Sequence, residues 1–318
     1  MRAIPDALKV QPFTPAQALK LGVPKYVLKG SRFTRVHPGV WRWHELELSH
    51  GHQIRAAQLA LPADARMTGI TRIQATGLDF GPRLPVRFVV PRDHHIALDG
   101  IFLHRTKRLP PTDVVGVSPY GAFVAYCALA RVIDAIKVGD WLLTQCHMTL
   151  EELGAFVIDQ PWRSGAHEAA WLLPHLSLGS RSLKESETSA LLRFSGLPAP
   201  DLNAPVELLS GLVIHGDLVY RQFGLIIEYE GVHHQTDRTQ YLLDLDRYSQ
   251  FRRSGLEYCQ VTTEMLRRPQ RLVRHIHSLL VAGGYQGRPP VFCELWPLLW
   301  HSVSRAAGPK PQPARAVA

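Results

Sequence analysis

The stretch that decides the fold of this chain is GLVIHGDLVYRQFGLIIEYEG, residues 211–231. Its two apolar runs, residues 212–214 and 225–227, are continuous rather than alternating, which is typical of strands in a sheet covered on both faces. We therefore predict strands over residues 212–220 and 224–229. They are expected to pair as a hairpin that turns near residues 221–222.

Acidic residues interrupt these strands at Asp217, Glu228 and Glu230. Residues i and i+2 of a strand share a face, so Glu228 and Glu230 point the same way, and the hairpin would bring Asp217 close to them. Converging carboxylates repel one another unless a cation lies between them, and oxygen ligands of this kind suit Mg²⁺ or Mn²⁺. We predict a divalent-metal site at these three residues, with His234 just beyond it as a candidate general base.

The segments around the hairpin are predicted to be helices and a further strand. A helix over residues 182–195 precedes it and is followed by a proline-rich loop at Pro198, Pro200 and Pro205. A helix over 237–254, a strand over 256–261 and a helix over 269–282 follow it. Residues 180–285 are therefore expected to form an α/β domain with a central mixed sheet.

An ordered set of motifs extends over residues 180–282. It comprises Glu185-Ser186, Asp217, Glu228-Tyr229-Glu230-Gly231-x-x-His234, Asp244-x-x-Arg247, and Gly255 before a strand ending in Val261-Thr262. This set resembles the very-short-patch-repair-type branch of the PD-(D/E)XK endonuclease superfamily. The resemblance implies a restriction-endonuclease-like α/β/α domain that hydrolyses DNA with Mg²⁺.

The resemblance also implies a role for each matching residue. It makes Asp217 and Glu228 metal ligands, Glu185 an auxiliary acid and His234 a base. The supporting residues on the helix behind the site would be Asp244 and Arg247. Glu230 stands where this branch generally has Asp and where classical members have Lys.

Each of these residues also has a structural alternative. Glu185 lies three residues after Ser182, the spacing of a helix capping box. Glu230 could pair with Arg247 or Arg221 instead of a metal. A lone histidine such as that at 234 is more often a surface residue than a base, and the acid and arginine at 244 and 247 have the spacing of a local surface pair on a helix.

Residues 1–44 contain eight Lys and Arg against one Asp, a net charge of +7. Thr14 and Pro15 predict a helix over 16–21, a second helix is expected over 24–30, and a hairpin should turn at Pro38-Gly39. This layout predicts a winged helix-turn-helix that binds DNA. Its candidate phosphate contacts are Lys25, Lys29, Arg32 and Arg35.

The segments TPAQALKLGVPKYVLKG and RFTRVHPGVW resemble the winged-helix domain of abortive-infection-type antitoxins. Residues 45–179 resemble the connecting domain that joins such modules. Residues 286–318 are expected to be a C-terminal extension, disordered from about residue 302 because that tail has several Pro and Gly and no acid.

The composition is that of a globular protein of about two domains, 318 residues long with a net charge of +9 and a pI of about 9.6. Such an excess of positive charge favours nucleic-acid partners. Four widely spaced cysteines predict neither a disulfide framework nor a zinc knuckle, and no apolar run is long enough for a leader or membrane span. A cytoplasmic location is expected; the composition does not predict an oligomeric state.

These patterns predict a Mg²⁺-dependent DNA endonuclease directed by an N-terminal DNA-binding module, in a phage-defence or toxin–antitoxin setting. The alternative is a DNA-binding repressor or antitoxin-type protein whose nuclease-like domain is catalytically silent. The absent Lys and the Glu at 230 favour that alternative, whereas Asp217 and Glu228 oppose it.

Overall fold

A computed structural model describes residues 3–93, 95–230, 251 and 253–310 of the chain. The chain divides by its internal contacts into two compact units, Met1–Ala122 and Phe123–Ala318. Both units combine helices with strands, so the fold is mixed α/β, in agreement with the predicted class. The boundary between the units falls inside residues 45–179, the predicted connecting domain.

The first unit begins with a small module of two short helices and a hairpin. After a 3-10 turn at Asp6–Leu8 come α1 (Pro15–Lys20), a 3-10 helix (Lys25–Lys29), β1 (Phe33–His37) and β2 (Val40–Trp43). Thr14 caps α1 in a capping box with Gln17, and β1 and β2 are antiparallel. The two helices and the hairpin are present as predicted, the second helix as a single 3-10 segment. The buried apolar residues are Leu8, Phe13, Ala18, Val23, Leu28 and Phe33.

The rest of the first unit is a small three-stranded sheet with two helices. Its elements are α2 (His50–Ala60), β3 (Arg66–Met67), α3 (Gly69–Gln74), β4 (Val86–Val90) and β5 (Ile101–Arg105). The order is β3-β4-β5, with an antiparallel and then a parallel pair. Buried Arg72 pairs with Asp113 and donates to the Val117 carbonyl at 2.9 Å, which fixes the segment after β5. The helix α4 (Pro119–Cys127) spans the division between the units.

A layer of helices opens the second unit. It contains α5 (Val132–Thr144), α6 (Leu150–Asp159), α7 (Ala166–Leu172), a 3-10 turn (Leu173–His175) and α8 (Leu183–Phe194). The helix α6 begins at a capping box formed by Thr149 and Glu152. α5 packs against α8, and a largely buried ion pair joins Lys137 to Glu187 at 3.3 Å. The helix α5, within the predicted connecting domain, therefore packs on the first helix of the predicted nuclease domain.

The sheet of the second unit has four strands in the order β6 (Asp201–Glu207), β7 (Val213–Tyr220), β8 (Leu225–Tyr229) and β9 (Glu257–Val261). The first three are antiparallel, and β8 and β9 are parallel, so the predicted central mixed sheet is present. The expectation of a proline-rich loop is wrong from Asp201 onward, where β6 begins. Pro205 has no N–H to donate, but β6 lies at the edge of the sheet, where proline is tolerated.

Both faces of this sheet are covered. On one face the apolar cluster includes Val219, Ile226 and Phe251, while α8 contacts β7 and β8. After β9 come α9 (Thr263–Leu266) and α10 (Pro269–Ala282), which buries a stripe of apolar residues. The stripe consists of Leu272, Val273, Ile276 and Leu280.

The C-terminal segment is ordered further than predicted. A 3-10 helix (Trp296–Trp300) is followed by α11 (Val303–Ala307), so the expected disorder from residue 302 is wrong at its start. The Val132 N–H donates to the His301 carbonyl at 3.0 Å, and Val303 is buried and donates to the Ala130 carbonyl at 2.9 Å. Residues 311–318 lie outside the described part. No helix among the described residues has the length and apolar character to cross a membrane.

Candidate functional site

The predicted hairpin of β7 and β8 is confirmed. A 3-10 turn, Arg221–Phe223, joins the strands, and Gly224 follows it with φ +57°, a conformation that favours glycine. The register pairs Leu218 with Ile227 and Val219 with Ile226. The paired residues end there, one residue short of Asp217 on β7 and of Glu228 on β8.

Asp217 is half-buried, and its Oδ2 accepts a hydrogen bond from the Tyr229 N–H at 2.9 Å. The Asp217 carboxylate therefore continues the hydrogen bonding between β7 and β8 beyond their last paired residues. The preceding residue, Gly216, is closely packed, since a Cβ there would lie 2.8 Å from methyl groups of both Val219 and Ile226. This close packing leaves β7 little freedom next to Asp217.

Glu228 is half-buried, and its Oε2 accepts a hydrogen bond from the Tyr258 hydroxyl at 3.1 Å. Tyr258 comes from β9, where it stacks on Phe251 with ring centroids 5.3 Å apart. The stacked ring restrains the hydroxyl that holds the Glu228 carboxylate. The parallel register places Gln260 next to Glu228 at the same edge of the sheet.

Glu230 is also half-buried, and its backbone N–H donates to the Val261 carbonyl at 2.9 Å. The alternative pairing of Glu230 with Arg221 is not formed, because the Arg221 guanidinium pairs with Asp201 at 3.2 Å. The other alternative partner, Arg247, lies outside the described residues.

Glu185 lies on α8 and is only 5% exposed. Its backbone N–H donates to Ser182 Oγ, so Ser182 caps the helix, but the Glu185 carboxylate accepts the Arg181 N–H at 2.7 Å and the Asn203 side-chain amide at 3.0 Å. Burial raises the pKa of Glu185, and the nearby charge of Asp217 raises it further. The carboxyl groups of Glu185 and Asp217 therefore interact electrostatically. In addition, the Glu185 N–H takes part in the cap at the start of α8.

The structure thus brings Asp217 close to one other predicted acid, Glu185, while Glu228 lies on the neighbouring strand β8. Among the residues it describes, no group of three or more His, Cys, Asp or Glu side chains could hold a metal ion. The predicted base and supporting residues, His234, Asp244 and Arg247, lie outside the described residues. The predicted ligand set stays a prediction.

The predicted phosphate contacts of the first unit lie on adjacent elements of its N-terminal module. Lys25 and Lys29 are exposed on the 3-10 helix, and Arg35 is exposed on β1. Arg32 is half-buried, and its carbonyl accepts the His44 N–H at 3.0 Å. Their use as DNA contacts stays a prediction.

Two groups of residues at this part of the fold are missing from the sequence predictions. Tyr258 and Asn203 hold the carboxylates of Glu228 and Glu185, and neither belongs to a recognisable motif. Three arginines follow β9 in the segment RRPQR, at positions 267, 268 and 271. Their density along the chain is a signal that charge patterning could have found.

Comparisons with known proteins identify distant relatives. The uncharacterized proteins MT2308 and Rv2248, both of Mycobacterium tuberculosis, are each 25% identical to this chain over 154 residues. The aligned part makes up 47% of this chain and 57% of each relative, so the chain spans little more than half of their length. No family profile matches the chain. No solved structure matches it either.

Proposed function

We propose that this protein is a metal-dependent DNA endonuclease whose hydrolytic centre is built on the hairpin of β7 and β8. The observation that carries the proposal is the approach of two predicted acids, Asp217 on β7 and buried Glu185 on α8, with Glu228 on the neighbouring strand β8. Glu185 approaches the same place from α8, near enough for the charge of Asp217 to raise its pKa. Adjacent carboxylates in a partly buried site are a recurrent arrangement for binding a hard cation.

The order of elements around the hairpin supports the same proposal. A helix, three antiparallel strands and a fourth strand parallel to the third follow one another in the second unit. We infer that this is the restriction-endonuclease-like domain implied by the motif resemblance. The module of α1, the 3-10 helix Lys25–Lys29 and the β1–β2 hairpin is, in the same proposal, the winged helix that binds DNA.

The donor chemistry of the site fits Mg²⁺ or Mn²⁺, because every candidate ligand supplies oxygen and the carboxyl of Glu185 is buried beside another negative charge. Asp217 and Glu228 would hold the ion, with Glu230 or Glu185 as a third ligand. The bound ion would activate water and neutralise charge on the scissile phosphate. Tyr258 and the Tyr229 N–H orient the two main carboxylates.

A second candidate is a DNA-binding repressor or antitoxin-type protein with a silent nuclease-like domain. The finding that favours it is that the described residues contain no group of three side chains able to hold a metal ion. The basic N-terminal module would then carry the function alone. The two candidates differ in cleavage and agree in DNA binding.

The test is nicking of supercoiled plasmid by the full chain in Mg²⁺ or Mn²⁺. The substitutions Glu228→Gln and Asp217→Asn remove one charge each and keep the side-chain shape. Substitution of a residue that only supports a metal ligand typically lowers metal affinity or activity about 10- to 100-fold. For the ligands themselves we therefore expect the nicking rate to fall about 100-fold or more. Glu257→Gln is the matched control, since Glu257 is an exposed acid on β9 outside the site, and its rate should be unchanged.

Two outcomes would reject the nuclease. Equal nicking by wild type and Glu228→Gln would assign the cleavage to a contaminant. No nicking by wild type in either metal, with DNA binding retained, would favour the silent repressor-type protein.

A further inference from the structure

A cleft in the second unit is lined by positively charged side chains that the proposed metal centre does not use. Its volume is about 650 Å³. The charged residues among its described lining are Arg267, Arg268 and Arg271, with His275 farther along and one acid, Glu264. The cleft therefore carries a local excess of positive charge.

These side chains share one side of α10. Arg268 immediately precedes the helix, and Arg271 and His275 follow at spacings of three and four residues, which places neighbours on the same helix face. All three are exposed, while the opposite face of the helix is buried. In the part of the chain that the structure describes, Arg268 and Arg271 form no ion pair, whereas the charge of Arg267 acts on the neighbouring carboxylate of Glu264.

Along the chain, the described lining of the cleft begins at Glu264, shortly after β9 ends. β8 and β9 are parallel, so both strands end at the same edge, next to Glu228 and Gln260. Thr262 follows β9 and caps α9, and the hydroxyls of Tyr229 and Thr263 are hydrogen-bonded at 2.8 Å. The arginines follow within one short helix of that contact.

We propose that Arg268 and Arg271, assisted by Arg267, bind the phosphodiester backbone of DNA beside the hydrolytic centre. The proposal rests on the proposed function, because the partner is the substrate of that centre. Guanidinium groups bind phosphate through two parallel hydrogen bonds, and each neutralised phosphate releases condensed counterions. A concave cleft next to the acids fits a nucleic-acid strand better than the flat surface of a membrane.

The experiment measures binding in the absence of divalent metal. A short fluorescein-labelled DNA duplex is titrated with the full chain in EDTA over a series of salt concentrations, and anisotropy gives the Kd. In the double variant Arg268→Gln/Arg271→Gln, two lost phosphate contacts should lower the slope of log affinity against log salt by about 2. Affinity should fall about tenfold or more at moderate salt.

The matched control is Arg253→Gln/Arg288→Gln, which removes the same charge from exposed positions before β9 and after α10. Circular dichroism on all variants confirms folding. The proposal is overturned if the double variant and the control bind DNA with the same Kd and the same salt slope. It is also overturned if the double variant loses binding only to anionic phosphatidylserine vesicles.

The two proposals fail separately because no metal is present in the binding assay. If the chain binds DNA through these arginines but nicks no plasmid, the proposed nuclease activity is rejected and the proposed DNA contacts of the cleft are retained. If the double variant nicks plasmid and binds DNA as wild type does, only the proposed DNA contacts of the cleft are rejected.

Discussion

Asp140 carries a carboxyl group whose ionisation should destabilise the second unit. The residue lies on α5 with no exposed surface, and its Oδ1 accepts the Ser177 N–H at 2.7 Å. Among the described residues its Oδ2 has no hydrogen-bond partner. Burial raises the pKa of Asp140 to about 7, although Ser177, Arg193 and Ser186 each lower it.

The size of the effect follows from the difference between the folded and unfolded pKa values. The ordinary value for Asp is 3.8, so the folded pKa lies about three units higher. Each unit corresponds to about 1.4 kcal/mol, which gives a loss of about 4 kcal/mol in the free energy of unfolding. Because the folded state binds the extra proton, the free energy of unfolding keeps its full value below pH 4. It falls by this amount as the pH rises towards 7 and does not change further above that.

The substitution Asp140→Asn removes the ionisation and keeps an oxygen that can accept the Ser177 N–H. Between pH 4 and pH 8, the stability of the variant relative to wild type should therefore rise by about 4 kcal/mol. The new amide N–H groups are buried, which costs about 1 to 3 kcal/mol at every pH and does not alter that slope. The measurement is urea unfolding of the full chain at a series of pH values, followed by circular dichroism.

Asp159→Asn is the control, because Asp159 is an exposed acid on α6 and should show no such dependence. A stability difference between Asp140→Asn and wild type that stays the same at every pH would refute the reasoning. The carboxyl of Asp140 would then ionise in the folded protein as it does in the unfolded chain.

Two smaller predictions concern single hydrogen bonds. Tyr258→Phe removes the hydroxyl that donates a hydrogen bond to the Glu228 carboxylate at 3.1 Å, but it keeps the ring that stacks on Phe251. The rate of plasmid nicking should therefore fall about tenfold, with folding stability little changed. Parallel nicking and urea measurements check this, and an unchanged nicking rate would contradict a positioning role for Tyr258. Thr149→Ala removes the hydroxyl oxygen that accepts a hydrogen bond from the Glu152 N–H at 3.1 Å and so caps α6. Loss of this cap should lower the free energy of unfolding by about 1 kcal/mol. Urea unfolding measures it, and a stability equal to wild type would show that α6 does not depend on its cap.

The elements predictable from the sequence are those whose signals are local. α10 begins at Pro269 and ends at Ala282, as predicted. Proline in the first turn is a local signal for the start of a helix, and glycine after the last turn is a local signal for its end. The hairpin was predictable because two continuous apolar runs flank a short polar turn. These patterns need no knowledge of what packs against them.

The features that escaped prediction depend on distant partners. β6 contains Pro205, which local rules exclude from a central strand, and only its position at the sheet edge permits it. Tyr258 reaches Glu228 through the register of two strands that are far apart in sequence, and Asn203 on β6 reaches Glu185 on the helix α8. No window of residues contains that register, so the groups that hold the carboxylates could not be identified.

The direction of β9 relative to β8 links the candidate acids to the arginines. Had β9 been antiparallel to β8, its end would lie at the opposite edge of the sheet, and the segment with Arg267 and Arg268 would begin away from Glu228. The parallel pair instead ends both strands at one edge, and the segment with Arg267 and Arg268 follows the end of β9. In the proposed nuclease, carboxylates alone would repel a phosphate backbone, whereas the arginines would attract it and leave only the scissile phosphate to be neutralised by an ion. The parallel pairing is therefore the structural condition on which the proposed DNA contacts of the cleft depend.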